Sequence, residues 1–234
     1  AVERLVSNDA SSIFASTHNR AVRDSLQASA TISKRLLENA TLTQDWDAAR
    51  RRADNGDFVG QLEQVSSVIA AREAFDAERD VFYVELGGWD SHAAVAEALD
   101  DGFGSIDAAL ETFVAEMKEQ GVWEQVTLQS LSEFGRTMTS NGHGTDHAWG
   151  GNHFTIGGSL RGGVLHGTYP ELHVGSETSI SSTGNQLPTS PWEALWKPLA
   201  EWIGVEEDQL DTVMPNLHAF SNEHLIPTAD FFTT

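Results

Sequence analysis

The chain has 234 residues, enough for one large domain or two small ones with a substantial core. Hydrophobic residues make up 40% and charged residues 21%, a globular composition and not a disordered one. A formal net charge of -21 argues against nucleic acid and anionic membranes as partners. The chain has no cysteine, which excludes disulfides, thiolate metal sites and cysteine nucleophiles. No apolar run approaches the roughly 20 residues of a membrane span.

The first third of the chain is predicted to be helical. Residues 1–55 are polar and rich in alanine with weak periodicity, and we expect a helical N-terminal segment there. The next residues predict an amphipathic helix that begins near Gly56 and Asp57. Its apolar residues recur at 4-3-4 spacing, at Phe58, Leu62, Val65 and Ile69.

A strand, a long helix and a second strand are predicted next. Residues 81–86 form a short apolar run typical of a strand buried on both faces. The helix that follows ends near Gly121. Its apolar residues repeat at 4-3-4-3-4 spacing, at Leu99, Phe103, Ile106, Leu110, Phe113 and Met117. With a second strand at residues 125–131, these elements predict a βαβ unit whose strands are parallel.

Two more short strands and a helix complete the predicted fold. The strands are expected at residues 153–158 and 162–167. Ser190 and Pro191 are a suitable cap and first-turn pair for a helix that Gly204 ends. The fold class is therefore predicted to be α/β, with a parallel sheet flanked by helices.

Polar residues follow both strands of the βαβ unit, where ligands collect in open parallel sheets. "GGWDSH" comes after the first strand, and its Asp90 and His92 are two residues apart. In extended backbone their side chains point to the same side, and a carboxylate with an imidazole suits Zn, Mn or Fe. The alternative is an aspartate that caps a helix beside a surface histidine.

"SEFGRT" comes after the second strand and contains Glu133 and Arg136. Glu133 suits a metal ligand or a general base, and Arg136 offers a planar fork for phosphate, sulfate or carboxylate. The alternative is an internal salt bridge between these two residues that only shapes the loop.

"GTDHAWGGNH" is the third polar stretch, in which Asp146 and His147 are adjacent and His143 and His153 flank them. Adjacent residues of this type could serve two neighbouring metals, or one metal and the groups around it. The alternative is a glycine-rich turn in which Asp146 bonds its own backbone. Because the three stretches follow elements that should be neighbours, we favour one shared site.

Several motifs resemble domain of unknown function family 1501. They are "ELGGWDSHAAV", "SLSEFGRTMTSNGHGTDHAWGGNHFTIGGSLRGG", "GTYPEL", "LPTS" and "MPNLHAF", in that order, and the resemblance runs from about Phe58 to Phe220. Members of the family are mostly bacterial, are often exported by a twin-arginine signal, and are grouped with the alkaline phosphatase and sulfatase superfamily. The resemblance implies an exported protein with a parallel α/β sandwich that holds one or two divalent metals.

The same resemblance assigns roles to six residues. It implies Glu133 and Arg136 as catalytic residues, with Arg136 as the anion clamp. The implied ligands of a divalent metal (Zn, Mn, Fe or Ca) are Asp90, His92, Asp146 and His147. The implied partner is a small anionic ester, and a protein partner is the alternative.

Family members usually carry an earlier half with a "GGxDG"-like strand end and the nucleophile region, and residues 1–80 do not match it. We therefore expect residues 56–234 to be the C-terminal part of an alkaline-phosphatase-like domain that lacks its N-terminal half. We also expect little or no turnover of generic aryl phosphates or sulfates by this chain alone. Two functions stay open: a metal-dependent hydrolase of phosphate or sulfate esters, and a non-catalytic structural or assembly subunit with a vestigial metal site.

Overall fold

The computed structural model describes residues 12–76 and 78–233. Its first half is helical and comprises α1 (Ile13–Asn39), α2 (Trp46–Arg52), α3 (Gly56–Ala70), α4 (Arg72–Phe75) and α5 (Val95–Glu119). The sequence predicted helix over residues 1–55, and residues 1–11 of that prediction lie outside the described residues. The amphipathic helices predicted from Phe58 and from Leu99 onward are confirmed as α3 and α5.

Local hydrogen bonds fix where the short helices begin. The Asp45 side chain accepts from the Ala48 amide at 2.8 Å, and the Asn55 side chain accepts from the Phe58 amide at 3.0 Å. These N-caps satisfy amides that have no partner inside the helix. The two caps therefore define the first turns of α2 and α3.

The main core lies between α2, α3 and α5. Apolar side chains from one face of each helix meet there, and each fully buried large one contributes roughly 1.5–3 kcal/mol. The buried members are Trp46, Ala49, Phe58, Val59, Leu62, Ala109, Phe113, Met117 and Val122. This packing makes α5 a rigid support for the loop that precedes it.

One carboxylate is buried beside this core. Glu116 of α5 is 0% exposed, and its Oε2 accepts from the amides of Thr43 and Gln44, each at 2.9 Å. The Gln120 side chain donates to its Oε1 at 3.0 Å. Glu116 therefore ties the turn between α1 and α2 to the middle of the core.

The strands are short and antiparallel. They are β1 (Thr127–Gln129), β2 (Gly135–Arg136), β3 (His147–Ala148) and β4 (Thr155–Gly157). β1 pairs with β4, and β2 pairs with β3. The strands predicted at residues 125–131 and 153–158 are confirmed as β1 and β4, but with shorter bounds.

The strand predicted at residues 81–86 is wrong, because this segment is extended and joins no ladder. The Gln61 side chain binds both the amide and the carbonyl of Glu85, each at 2.8 Å, and so takes the place of a neighbouring strand. The segment still covers the core with Val84 and Leu86. Its apolar pattern reflects this packing and not a sheet.

The predicted parallel pairing is absent from residues 12–76 and 78–233, where both sheets are antiparallel. β1 has β4 as its partner in place of the segment before α5. The strand predicted at residues 162–167 is also wrong, because that stretch is a loop. The alkaline-phosphatase-like arrangement and the domain boundary at residue 56 stay predictions.

The C-terminal part is built on α6 (Trp192–Ile203), followed by α7 (Leu210–Val213) and α8 (Thr228–Phe231). The predicted helix is confirmed as α6, which ends at Gly204 with a φ of 99°. Its start is one residue later than predicted, because Pro191 and not Ser190 occupies the cap position, without a side-chain cap. A positive φ favours glycine at a helix end. None of the helices that the structure describes combines the length and hydropathy of a membrane span.

Candidate metal centre

The β2–β3 hairpin positions one side of the site. Its register pairs Gly135 with Ala148 and Arg136 with His147. Directly opposite residues of an antiparallel pair project from the same face, so the Arg136 and His147 side chains lie side by side. Ala148 is buried on the other face, and this orients His147 toward solvent.

The loop before α5 supplies the other side of the site. Gly88 has a φ of 96°, which lets the chain turn just before Asp90. Arg136 joins this loop to the hairpin, because one guanidinium nitrogen donates to the Trp89 carbonyl. Another donates to the Thr145 carbonyl at 2.9 Å.

Asp90, His92 and His147 form a compact three-residue cluster. Asp90 Oδ1 lies 2.5 Å from His147 Nε2 and 2.9 Å from His92 Nε2. One potential ligand atom from each residue lies within 4.8 Å of the other two. A single cation could therefore replace the direct hydrogen bonds and bind all three residues.

Asp146 sits behind this cluster. Its Oδ1 lies 3.3 Å from His92 Nδ1, the nitrogen that faces away from Asp90. It also accepts from Asn141 Nδ2 at 2.9 Å. The Asn141 hydrogen bond, followed by that of His92, lowers the pKa of Asp146 despite some desolvation. Asp146 is therefore placed as a carboxylate that orients His92.

Asp90 is also held in its charged form. The hydrogen bond with His147 is the main cause of its lowered pKa, and desolvation opposes that shift. The positive charges of His147, His92 and Arg136 also lower the pKa of Asp90, each by less than the hydrogen bond does. A carboxylate that stays ionised is available to bind a cation.

Aromatic contacts fix the imidazole of His147. The Phe134 ring stacks on it with centroids 4.0 Å apart and planes 6° apart. The Arg136 guanidinium lies 4.9 Å from the centroid of Phe134, and the ring of His92 lies 5.2 Å from that of His147. The side chain of His147 is therefore restricted before any ligand arrives.

The structure brings together five of the six residues that the sequence singled out: Asp90, His92, Arg136, Asp146 and His147. Glu133 is exposed, and the described part of the chain offers it no hydrogen bond or ion pair. The Phe134 ring stacks on His147 and the Arg136 guanidinium lies over Phe134, whereas Glu133 lies at a bend before β2 and takes part in neither contact. A catalytic role for Glu133 stays a prediction.

The two flanking histidines lie outside the cluster. His143 lines an open cleft of about 530 Å³ beside the first turn of α5. His153 packs on Trp192 with ring centroids 4.9 Å apart, and burial lowers its pKa. His153 is therefore placed as a neutral packing residue.

Sequence reasoning missed Asn141 and Phe134, which hold Asp146 and His147 in place. The spacing of Phe134 and Arg136, two residues apart, could have placed both on one face. Nothing in the sequence marks Asn141, because asparagine before glycine is an ordinary turn signal.

We expect Gly135→Ala to disturb the hairpin, and with it the site. A Cβ at this position would lie 2.0 Å from the Gly150 carbonyl oxygen, so backbone must move. Overpacking of this kind costs about 1–3 kcal/mol, and the melting temperature should fall by several degrees. The control is Gly151→Ala in the same loop, whose Cβ would lie an ordinary 3.8 Å from Gly135 Cα. Equal melting temperatures for the two variants would contradict this account.

Comparison with known proteins identifies the family of the chain. The model of the family described as "Protein of unknown function (DUF1501)" matches residues 5–211. No curated protein and no solved structure matches the chain. The match begins well before Phe58, where the sequence motifs placed the start of the resemblance, and so it includes the first helices. The chain belongs to the DUF1501 family.

Proposed function

We propose that this chain binds one divalent cation at Asp90, His92 and His147 and hydrolyses phosphate or sulfate esters there. The observation that carries the proposal is the convergence of three ligand atoms within 4.8 Å, with the guanidinium of Arg136 3.9 Å from Asp90. A resemblance to the alkaline phosphatase and sulfatase superfamily does not decide function, so the proposal rests on this geometry.

The donor set suits some cations better than others. One carboxylate and two imidazoles fit Zn, Mn or Fe, whereas Ca prefers oxygen ligands throughout. Asp146 bonds the Nδ1 atom of His92, which leaves Nε2 for the metal, as in many carboxylate–histidine–metal sites. Three protein ligands leave a coordination position open for substrate or water, which is typical of catalytic sites.

The site residues would divide the work of ester hydrolysis. A bound divalent cation polarises the ester and favours ionisation of water. Two of the five N–H donors of Arg136 bond the carbonyls of Trp89 and Thr145, so three donors remain for an anion. Its position beside Asp90 places its charge where the phosphate or sulfate group would sit.

One observation favours the alternative of a non-catalytic subunit. The site is open to solvent, with 64% of the Asp90 side chain, 52% of the His92 side chain and 46% of the His147 side chain exposed. Water weakens the electrostatic stabilisation on which such catalysis depends. An exposed site can therefore hold a cation without accelerating a reaction.

A metal titration followed by an assay tests the proposal. Chelator-treated protein should bind about one Zn or Mn per chain, and Ca should bind at least tenfold more weakly. The loaded protein is then mixed with 4-nitrophenyl phosphate and 4-nitrophenyl sulfate. Release of 4-nitrophenol that depends on the added metal supports the hydrolase and contradicts the expectation of little turnover by this chain alone. Metal and phosphate binding without release favours the subunit, and no stoichiometric metal binding contradicts the hydrolase.

We expect Arg136→Lys to weaken anion binding selectively. Lysine keeps the charge but cannot bond two carbonyls and an anion from one planar group. The affinity of the Zn-loaded protein for inorganic phosphate should fall about tenfold or more, since hydrogen bonds to charged groups contribute about 1.5–3 kcal/mol. The affinity for Zn alone, measured by calorimetry, should change less than threefold. Unchanged phosphate affinity would remove Arg136 from the anion site.

A further inference from the structure

Asn141 and Gly142 form an Asn-Gly pair one hydrogen bond away from Asp146. Asparagine is chemically unstable, and most so before glycine, because no side chain hinders attack by the glycine nitrogen on the asparagine side chain. Both residues are exposed, and Gly142 has a φ of 100°, which residues with a Cβ rarely adopt. Water therefore reaches both reacting groups.

The hydrogen bonds of this loop act on both reacting groups. Oδ1 of Asn141 accepts from the amide of His143 at 3.0 Å and from that of Gly144 at 2.8 Å. Two such donors stabilise the negative charge that attack on the side-chain carbonyl would place on its oxygen. The Gly142 amide donates to Oγ of Ser140 at 3.0 Å, so the proton that its nitrogen must lose already has an acceptor.

We propose that Asn141 is a site of spontaneous deamidation, and that this change weakens the metal site by removing the hydrogen bond to Asp146. The nitrogen of Gly142 forms a bond to Cγ of Asn141, and the bond from Cγ to Nδ2 breaks. Nδ2 leaves as ammonia and takes the equivalent of the amide proton with it. Water then opens the cyclic imide at either carbonyl, which leaves an aspartyl or isoaspartyl residue at position 141.

The product cannot support Asp146 as Asn141 does. Nδ2 of Asn141 donates to Oδ1 of Asp146 at 2.9 Å, and the same oxygen lies 3.3 Å from Nδ1 of His92. Deamidation replaces this donor with a second carboxylate, so attraction at Asp146 becomes repulsion between like charges. Because Asp146 orients His92 as a metal ligand, this half of the inference rests on the proposed function.

A second Asn-Gly pair, Asn55 and Gly56, provides an internal control at the start of α3. Oδ1 of Asn55 accepts from the Phe58 amide at 3.0 Å, and Gly56 already belongs to the helix. Ring closure there must open the first turn of α3, where Phe58 and Val59 are buried in the core. In the folded protein Asn55 should therefore deamidate roughly tenfold more slowly than Asn141.

The first experiment incubates the folded chain without metal at mildly alkaline pH and follows both pairs by peptide mass spectrometry. Exchange of ammonia for water is expected first at Asn141, and more slowly in mildly acidic buffer, because the attacking nitrogen must lose a proton. In concentrated urea the two pairs should react at similar rates, and a difference that persists there would contradict the role of the loop. Equal rates in the folded chain, or no reaction at Asn141, overturn the inference whether or not the chain binds Zn.

The second experiment measures the consequence for the metal site by calorimetry. Asn141→Asp carries the charge of the product and should bind Zn about tenfold more weakly, the usual cost of losing a group that orients a metal ligand. The control Asn55→Asp keeps a good N-cap and should bind Zn as wild type does. An affinity of Asn141→Asp that equals or exceeds that of the control overturns the link to the metal site. A wild type that takes up no Zn overturns the proposed function, and the mass measurement still decides the deamidation.

Discussion

Asp90→Asn combined with His147→Ala is expected to reduce Zn affinity at least 100-fold and to leave the fold intact. The two residues supply the shortest contact of the cluster, at 2.5 Å, and two of its three ligand atoms. One imidazole then remains, too few ligands to compete with water for the cation. Because about half or more of each side chain is exposed, their loss should leave the melting temperature nearly unchanged.

The matched control for this double variant is Asp100→Asn with His218→Ala. Both residues are exposed, so the pair repeats the same changes of residue type away from the cluster. Calorimetric titration with Zn and a thermal melt should be run on all three proteins. If the two double variants bind Zn equally, Asp90 and His147 are not ligands. If the site variant unfolds, its loss of Zn carries no information, and the single Asp90→Asn variant decides.

Periodicity predicted the helices well and the sheet poorly. Apolar residues at 4-3-4 spacing mark the core-facing side of α3 and of the second half of α5, where Phe113 and Met117 are buried. In the first half of α5 the same spacing fails to predict burial, because Leu99 and Phe103 are exposed. The apolar run at residues 81–86 has two common origins, because a segment that lies against a core without pairing shows the same residue types as a strand. The contact between Gln61 and Glu85 decides between them, and it joins residues 24 positions apart. No local pattern reports such a contact.

In the site, too, local spacing predicted some contacts, and others depend on residues distant in the sequence. The two-residue spacing of Asp90 and His92 predicted that their side chains point to the same side, and their 2.9 Å contact agrees with that placement. The sequence did not show whether Asp146 or His147 would contact Asp90 directly. In the structure His147 Nε2 contacts Asp90, and Asp146 contacts Nδ1 of His92, the nitrogen that faces away from Asp90. Glu133 lies at a bend before β2 and joins none of these contacts, and the sequence does not specify that bend.

Glu116→Ala is expected to destabilise the protein by about 3–5 kcal/mol. The change removes the acceptor of two half-buried hydrogen bonds, from the amides of Thr43 and Gln44, and hydrogen bonds to a charged group contribute roughly 1.5–3 kcal/mol each. It also leaves a void beside the core of α2, α3 and α5. The control is Glu119→Ala in the same helix, where the side chain is exposed and the expected change is within about 0.5 kcal/mol. Urea unfolding of the variants measures both, and equal midpoints would show that Glu116 does not anchor the turn.

The same carboxylate should make stability depend on pH. Burial alone would raise the pKa of Glu116, but the hydrogen bonds from Gln120, Gln44 and Thr43 outweigh it, so the pKa lies below its ordinary 4.5. A pKa lowered by folding stabilises the protein above that ordinary value, and the contribution is lost as the pH falls through the lowered one. Wild type should therefore lose stability between neutral pH and acid faster than Glu116→Gln, which has no proton to take up there. Because Asp90, Asp146 and Glu201 titrate equally in both proteins, the difference between the two urea midpoints isolates Glu116. A difference that stays constant from pH 7 to below 4 would mean that folding does not lower the pKa of Glu116.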